Sequence, residues 1–173
     1  RHIFMETDEM ERAKVRSALE HGFTALLCIG ETEEEKAAGR TAEVLRRQLE
    51  TGLRDVEIPQ LNRVWVAYEP VWAIGVNGKP ITIAYAGEML SAIREILCDI
   101  FGVSGEDVPI FYGGSVNPEN AVPLSRCRDI NGLFIGRSAW DAEKFNRLIR
   151  QVLESRMQED SDACGRSHEQ RKE

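Results

Sequence analysis

The sequence predicts an α/β protein in which a parallel sheet carries helices on its outside. Short apolar runs alternate with longer amphipathic runs along most of the 173 residues. The apolar runs are nearly continuous, whereas strands with one solvated face alternate apolar and polar residues. Continuous runs are typical of buried strands in repeated strand–helix units. The expected order of elements is therefore αβ-αβ-αβ-αβ-α.

Four short runs rich in β-branched and aromatic residues are the predicted strands. They cover residues 23–29, 63–68, 108–112 and 132–135. Each run ends in glycine or in a charged residue followed by a loop, and parallel α/β sheets bind ligands at the carboxyl ends of their strands. The segments expected to line a site are Cys28–Glu31, Tyr68–Pro80, Tyr112–Val116 and Ile135–Trp140.

The amphipathic runs between the strands predict helices. Thr32 and Glu35 have the spacing of a capping box, and Thr82 is the predicted N-cap of a run that ends at Gly102. From Arg156 to Glu173 the chain is polar and aperiodic, which predicts a disordered tail after a domain of residues 1–155. The predicted helices cover residues 8–21, 32–53, 82–100 and 141–155, with a short one near Asn117-Pro118.

Composition and charge exclude several classes of function. The net charge of -7 argues against general nucleic-acid binding, which needs a basic face. No apolar run approaches the roughly 20 residues of a membrane helix. The three histidines form no metal-type pair, so no metal site is expected. The widely spaced cysteines predict reduced thiols in a cytoplasmic protein; they are Cys28, Cys98, Cys127 and Cys164.

Glu69 is the candidate catalytic base. It stands at the end of the second predicted strand, directly before Pro70, with Trp65, Tyr68 and Trp72 nearby in sequence. A carboxylate beside aromatic rings is partly desolvated, which raises its proton affinity and suits it to general base catalysis. On position alone, a solvated glutamate that caps a turn is the commoner alternative.

Residues 71–80 predict a lid. This loop is apolar at its start, with Trp72 and Ile74, and rich in Gly, Asn, Lys and Pro at its end. Exposing those apolar side chains is costly unless the loop closes over a ligand and excludes water from it. The alternative is a loop packed permanently on the core.

Two glycine turns at consecutive strand ends predict an anion site. Gly113-Gly114-Ser115 follows the third strand and Gly136-Arg137-Ser138 follows the fourth. Such turns present backbone N–H groups that form an anion nest, here with a hydroxyl and a guanidinium added. In barrels of parallel strands the last two strand–helix loops often hold a phosphate. A lone Gly-Gly-Ser is more often a simple tight turn.

The run Ala67–Gly75, which reads AYEPVWAIG, resembles the catalytic strand and lid entry of the triosephosphate isomerase family. Three further motifs follow the family's order and spacing: Glu6–Glu9, Cys28–Glu31 and Tyr112–Asn117. The resemblance covers residues 1–155. It implies that the chain is the C-terminal portion, about four βα units, of a TIM (β/α)8 barrel. The erythrulose-phosphate isomerases are a branch of this family that the sequence also resembles.

The resemblance implies an aldose–ketose isomerase that needs neither cofactor nor metal. Glu69 would move a proton between adjacent carbons through an enediolate; a glutamate base and a closing lid are the family's established chemistry. Gly75, Ser115, Gly136 and Arg137 would bind the substrate phosphate, and Tyr112 would latch the closed lid. The family also implies a small phosphorylated sugar as substrate and a full-length homodimer.

Four departures from the family pattern affect these expectations. The family's catalytic Lys, Asn and electrophilic His have no counterpart here, so the chain is expected to be a fragment that is nearly inactive alone. Met5 replaces a Gly before Glu6-Thr7. The lid tip, residues 76–80, is longer than usual and carries Pro80. Arg137 stands where the triose enzymes have a second Gly.

The identity of the substrate stays open on the sequence alone. Arg137 adds bulk and positive charge beside the expected phosphate, as in relatives that act on four-carbon ketose phosphates. Triose phosphate and tetrulose (erythrulose) phosphate are therefore both retained as candidate substrates. A different class of function is an inactive half-barrel that only binds phosphate or assembles with another subunit.

Overall fold

The computed structural model describes residues 1, 3–75, 78–79 and 81–169, with side chains up to residue 158. Ten regular elements follow one another along this part of the chain. The strands are β1 (Ala25–Ile29), β2 (Val64–Tyr68), β3 (Ile110–Tyr112) and β4 (Gly132–Leu133). The helices are α1 (Asp8–Glu20), α2 (Glu33–Ala37), α3 (Thr41–Gly52), α4 (Ile83–Phe101), α5 (Ala121–Ser125) and α6 (Ala142–Glu169).

The four described strands form one parallel sheet in the order β1-β2-β3-β4. Each strand is followed by helical segments before the next, so the architecture is four successive βα units. This confirms the predicted α/β class and the partial TIM barrel. The register pairs Ile29 with Tyr68, and Tyr68 with Tyr112, so the carboxyl ends of three strands lie level.

One face of the sheet is buried under helices and the other is open. Leu27, Val66 and Ile110 belong to the buried core, which α1, α3 and α4 cover. Trp65 is 40% exposed on the opposite face and lies 5.3 Å from the ring of Phe111, centroid to centroid. The predicted helices on the outside of the sheet therefore cover one face, and the opposite face is partly exposed in this chain. In a closed barrel the open face is the one that points inward.

The helix boundaries follow local chemistry. The capping box of Thr32 and Glu35 is present, and Thr82 caps α4 by accepting a hydrogen bond from the backbone N–H of Tyr85. The predicted helix 32–53 is interrupted, however, because Gly39 takes a φ of +70° between α2 and α3. A left-handed residue ends a right-handed helix, and glycine adopts it without a Cβ clash.

The bounds of the last two helices differ from those predicted. The short helix expected near Asn117-Pro118 begins only at Ala121, because Asn117 folds residues 117–120 into a turn by accepting from two backbone N–H groups. The last helix is predicted to end at Ser155, and in the structure it continues to Glu169. Residues 170–173 lie outside the described chain.

Among the described residues, no helix is long and apolar enough to cross a membrane. The same part of the chain contains no group of three or more His, Cys, Asp or Glu side chains arranged to hold a metal ion.

Candidate active site at the strand ends

Three of the four predicted site segments meet in one open cavity of about 880 Å³ at the carboxyl ends of β2, β3 and β4, whereas no residue of Cys28–Glu31 lines it. Glu69 follows β2, the Gly113–Ser115 turn follows β3, and the Gly136–Ser138 turn follows β4. The lid contributes Ile74 and Gly75 to the same wall. The parallel register brings together residues that lie up to 75 positions apart in sequence, from Glu69 to Lys144.

The backbone of Glu69 is held from both sides. Its N–H donates to the carbonyl of Ile29 at 2.7 Å, and the carbonyl of Tyr68 accepts from the N–H of Gly113 at 2.8 Å. These bonds continue the β1–β2 and β2–β3 ladders to the mouth of the sheet. The candidate base, Glu69, therefore stands at the end of a rigid strand, and the predicted lid begins only two residues later.

Burial raises the pKa of the Glu69 carboxyl above its ordinary value, and a hydrogen bond from the Cys28 thiol opposes this in part. Burial and the neighbouring carboxylate raise the pKa of Cys28 to about 12. The thiol therefore stays protonated and remains a donor to Glu69. A carboxylate with a raised pKa binds a proton more strongly, as a general base requires.

Gly113 is required by its close approach to the base. A Cβ built on Gly113 would lie 2.6 Å from Cγ of Glu69 and 3.0 Å from one carboxylate oxygen. Any larger residue would push the carboxylate away from its place. The turn after β3, Gly113–Ser115, thus fixes the position of the Glu69 side chain, which follows β2.

The start of the predicted lid is hydrogen-bonded to the Gly113–Ser115 turn that follows β3. The carbonyl of Ala73 accepts from the backbone N–H of Ser115 at 3.0 Å and from its hydroxyl at 2.7 Å. The N–H of Lys79 donates to the carbonyl of Trp72 at 2.9 Å, which brings the far end of the lid back to its start. Val76, Asn77 and Pro80, on which the prediction of a longer lid tip rests, lie outside the described residues.

Glu31, to which the sequence analysis gave no role, is a buried carboxylate that holds Trp72 at the start of the predicted lid. Glu31 is fully buried and accepts hydrogen bonds from Trp72 Nε1 at 2.8 Å and from the hydroxyls of Tyr68 and Tyr85 at about 3.1 Å. Lys36 Nζ lies 3.4 Å from the centroid of the Trp72 ring. A buried carboxylate is tolerated only with such donors. The sequence signal that could have identified Glu31 is its position two residues after the end of β1.

The β4 turn presents Arg137 to the cavity, and its guanidinium donates to the carbonyl of Gly75 in the lid. Gly136 has open space where a Cβ would stand. The hydroxyl of Ser138 donates to the carbonyl of Val116 at 2.6 Å, which ties the two glycine turns together. The predicted phosphate residues Gly75, Ser115, Gly136 and Arg137 all line one cavity.

Tyr112, the predicted lid latch, is fully buried at the end of β3. Its hydroxyl is buried without a hydrogen-bond partner among the described residues, and burial raises its pKa. A Cβ on Gly114 would lie 1.9 Å from this hydroxyl, so the turn closes tightly over it. The latch contact itself stays a prediction.

Apolar side chains flank the base. Ile74 from the lid and Phe134 after β4 are each 40% exposed and both line the cavity. Trp140, Asp141 and Lys144 extend the wall beyond the β4 turn. The cavity thus combines the partly buried Glu69 carboxylate, the exposed Asp141, two glycine turns and the cations of Arg137 and Lys144 with apolar walls. Such a lining suits a small anionic ligand.

The chain is similar in sequence to known isomerases. Residues 1–152 match the model of the triosephosphate isomerase family. The chain is 48% identical over 153 residues to the L-erythrulose-1-phosphate isomerase of Rhizobium etli, which covers 88% of this chain and 56% of that protein. It is 42% identical over 151 residues to the triosephosphate isomerase of Syntrophotalea carbinolica, which covers 87% of this chain and 60% of that protein.

The chain therefore spans less than two thirds of the length of these relatives. The matched region nevertheless includes the strand ends that carry Glu69, Ser115 and Gly136. With a family match over most of its length, this chain belongs to the triosephosphate isomerase family.

Proposed function

We propose that this chain carries the catalytic base and the phosphate site of an aldose–ketose isomerase that acts on short phosphorylated sugars. The observation that carries the proposal is the partly buried Glu69 carboxylate, whose raised pKa and fixed backbone face a cavity lined by two glycine turns. A base at one end of a small cavity and anion donors at the other fit a sugar phosphate of three or four carbons.

The chemistry assigned to Glu69 is proton transfer. Its carboxylate takes a proton from the carbon next to the substrate carbonyl, and the electrons of the broken C–H bond form the enediolate. The protonated carboxyl then returns the proton to the adjacent carbon. A proton also passes between the two substrate oxygens, and we place that step on barrel strands outside this chain. No cofactor takes part.

Ile74 and Phe134 would exclude water from the enediolate when the lid closes. An exposed enediolate phosphate can eliminate its phosphate, so a dry cavity favours isomerisation over this side reaction. Gly75, Ser115, Gly136 and Arg137 would hold the phosphate away from the base, and Tyr112 would latch the lid. These roles are proposals that rest on the cavity and on the family resemblance.

Two substrates are candidates. The Syntrophotalea carbinolica relative is named for isomerising triose phosphate. The Rhizobium etli relative is named for isomerising L-erythrulose 1-phosphate, which is a tetrulose phosphate. Arg137 favours the four-carbon candidate, because it puts a cation in the cavity where triose enzymes have a glycine. Replacing Arg137 with Gly should shift the ratio of kcat/KM values toward triose phosphate. An unchanged ratio would remove Arg137 as a determinant of chain length.

The main test is Glu69→Gln in the full-length gene product. The variant should lose at least about 10³-fold in kcat, because the amide cannot accept the proton, while phosphate-bearing substrate still binds. Glu88→Gln is the matched control, because Glu88 is exposed on α4 away from the cavity. Unchanged turnover in Glu69→Gln would refute the assignment of the base.

A different class of function is also tested by these assays. If the full-length product binds inorganic phosphate but isomerises neither sugar, the fold acts as a phosphate-binding module without the reaction. The family resemblance also predicts a homodimer, a cytoplasmic location and low activity of the isolated chain.

A further inference from the structure

We propose that Lys144 is a further residue of the phosphate site, where the charge of its ammonium group helps the cavity to select a phosphorylated substrate. The inference rests on the proposed function and deepens it, because it gives a role in substrate selection to a residue outside the two glycine turns. Lys144 acts at the phosphate end of the cavity, whereas Glu69 acts at the other end.

Hydrogen bonds along the main chain connect Lys144 to the turn that carries Gly136. The N–H of Ala139 donates to the carbonyl of Gly136 at 2.9 Å, and the N–H of Trp140 donates to the carbonyl of Arg137 at 3.1 Å. The chain then enters α6, whose first turn contains Lys144. Gly136 and Lys144 line the same cavity. The ammonium group is therefore carried by a helix that directly continues the second glycine turn.

The carboxylate that shares this end of the cavity, that of Asp141, caps α6. Its Oδ1 accepts a hydrogen bond from the backbone N–H of Lys144 at 3.0 Å. This bond, together with the positive charges of Lys144 and Arg147, holds the pKa of the Asp141 carboxyl below its ordinary value. One carboxylate thus serves two cations and also occupies the start of the helix. The side chain of Lys144, rather than the helix end, is therefore the group that faces an incoming anion.

Lys144 also differs from the other lysines whose side chains the structure describes. Lys14 and Lys79 are each held in an ion pair, and Lys36 lies over an aromatic ring. The side chain of Lys144 is exposed, and no carboxylate among the described residues lies within ion-pair distance of it. Its ammonium group is therefore available to a ligand in the cavity.

The charges that line the cavity are separated along its length. Glu69 is at one end, and at the other end the cations of Arg137 and Lys144 outnumber the carboxylate of Asp141. The whole chain has a net charge of -7, so this local excess of positive charge is opposite in sign to the net charge. Because Coulomb attraction scales with the charge of the ligand, this end of the cavity favours a phosphate dianion over a neutral sugar group.

The experiment measures the binding of inorganic phosphate to the full-length gene product by calorimetry. Binding is compared at ionic strengths of about 0.01 M and about 1 M, where the Debye length is about 30 Å and about 3 Å. The variants are Lys144→Ala and Lys144→Arg. Alanine keeps the backbone N–H that Asp141 accepts from and favours the helix, so the start of α6 is retained.

Arg150→Ala is the matched control. It removes one positive charge from the exposed surface of the same helix, and Arg150 is not among the residues that line the cavity. At low ionic strength, Lys144→Ala should bind phosphate about fivefold more weakly than the wild type, as the loss of one cation several ångströms from a dianion predicts. At high ionic strength the difference should fall below about twofold. Lys144→Arg and Arg150→Ala should bind phosphate as the wild type does.

Isomerase assays separate binding from chemistry. The phosphate does not react, so its contact with Lys144 is present in the ground state and in the transition state alike. The loss in Lys144→Ala should therefore appear in KM rather than in kcat. A loss confined to kcat would contradict a role in phosphate binding.

Equal affinity of Lys144→Ala and the wild type at low ionic strength would overturn the role of Lys144 and leave the phosphate site in place. A loss that persists at high ionic strength, or that Arg150→Ala shares, would also overturn it, because the effect would not come from a charge at this position. If the wild type binds no phosphate, the phosphate site fails and the role of Lys144 with it. If phosphate binding changes as expected but no sugar phosphate is isomerised, the role of Lys144 stands and the proposed isomerase function fails.

Discussion

Replacing Gly113 with Ala tests how the β3 turn positions the base. The new Cβ would stand 2.6 Å from Cγ of Glu69, whereas carbon atoms in contact lie about 3.5–4.0 Å apart. The Glu69 side chain must therefore move by roughly 1 Å. Gly113 is not among the glycines with positive φ, so the cost comes from this contact rather than from backbone strain.

A displacement of about 1 Å in a catalytic group costs on the order of 10²-fold in rate, or roughly 2.7 kcal/mol of transition-state stabilisation. We expect kcat/KM of the full-length Gly113→Ala variant to fall by about that factor for whichever sugar phosphate is the better substrate. NMR titration of the Glu69 carboxyl should show a changed pKa in the variant, since its environment changes with its position.

Gly87→Ala is the matched control for this variant. A Cβ on Gly87, inside α4, would meet the Cys127 sulfur at an ordinary 3.8 Å, and alanine favours the helix. Circular dichroism melts check that both variants fold. Activity of Gly113→Ala within threefold of the wild type would refute the positioning argument, as would an equal loss of activity in Gly87→Ala.

Three further results are expected. Glu69→Gln should be more stable than the wild type at neutral pH. Because the pKa of the Glu69 carboxyl is raised in the folded state, its ionisation destabilises the wild-type fold as pH rises. The stability advantage of the variant should vanish below the unfolded-state pKa of about 4.3. Equal stability in urea titrations at pH 7 would contradict this. Trp72→Phe should lower the free energy of unfolding by about 1–3 kcal/mol, because Glu31 loses a donor while staying buried; an unchanged urea midpoint would contradict this. Cys28→Ala should move the acidic limb of the pH–rate profile to higher pH, because the hydrogen bond from the thiol lowers the pKa of Glu69. Cys28→Ser keeps a hydrogen-bond donor and should return the acidic limb to its wild-type position. An acidic limb that does not move in Cys28→Ala would exclude this role of Cys28.

Local patterns predicted most of the secondary structure. Thr32 and Thr82 begin helices and Gly102 ends one, as their local chemistry requires. The errors arose where local signals were weak. Gly39 lies inside the predicted helix 32–53 but takes a positive φ that interrupts it. The third strand begins only after Pro109, which lacks the N–H of a ladder residue.

The candidate site was predicted unevenly. Glu69, Ser115 and Gly136 follow apolar strands directly, so their place at the carboxyl end of the sheet could be inferred from order alone. Glu31 has the same kind of position, but only the packing of Tyr68, Trp72 and Tyr85 around it shows a buried carboxylate with three donors. Family membership was likewise predicted from the nine consecutive residues Ala67–Gly75, and the family model confirms it.

The sequence by itself determined the α/β class, the order of four strand–helix units and the residues that stand at their carboxyl ends, because periodicity and strand ends are local properties. Only the tertiary structure decided which of those residues touch. The approach of Gly113 to Glu69, the thiol of Cys28 beside the same carboxyl, and the hold of Arg137 on Gly75 join distant segments. Such contacts depend on strand register and on the path of the loops in space, which no local pattern encodes.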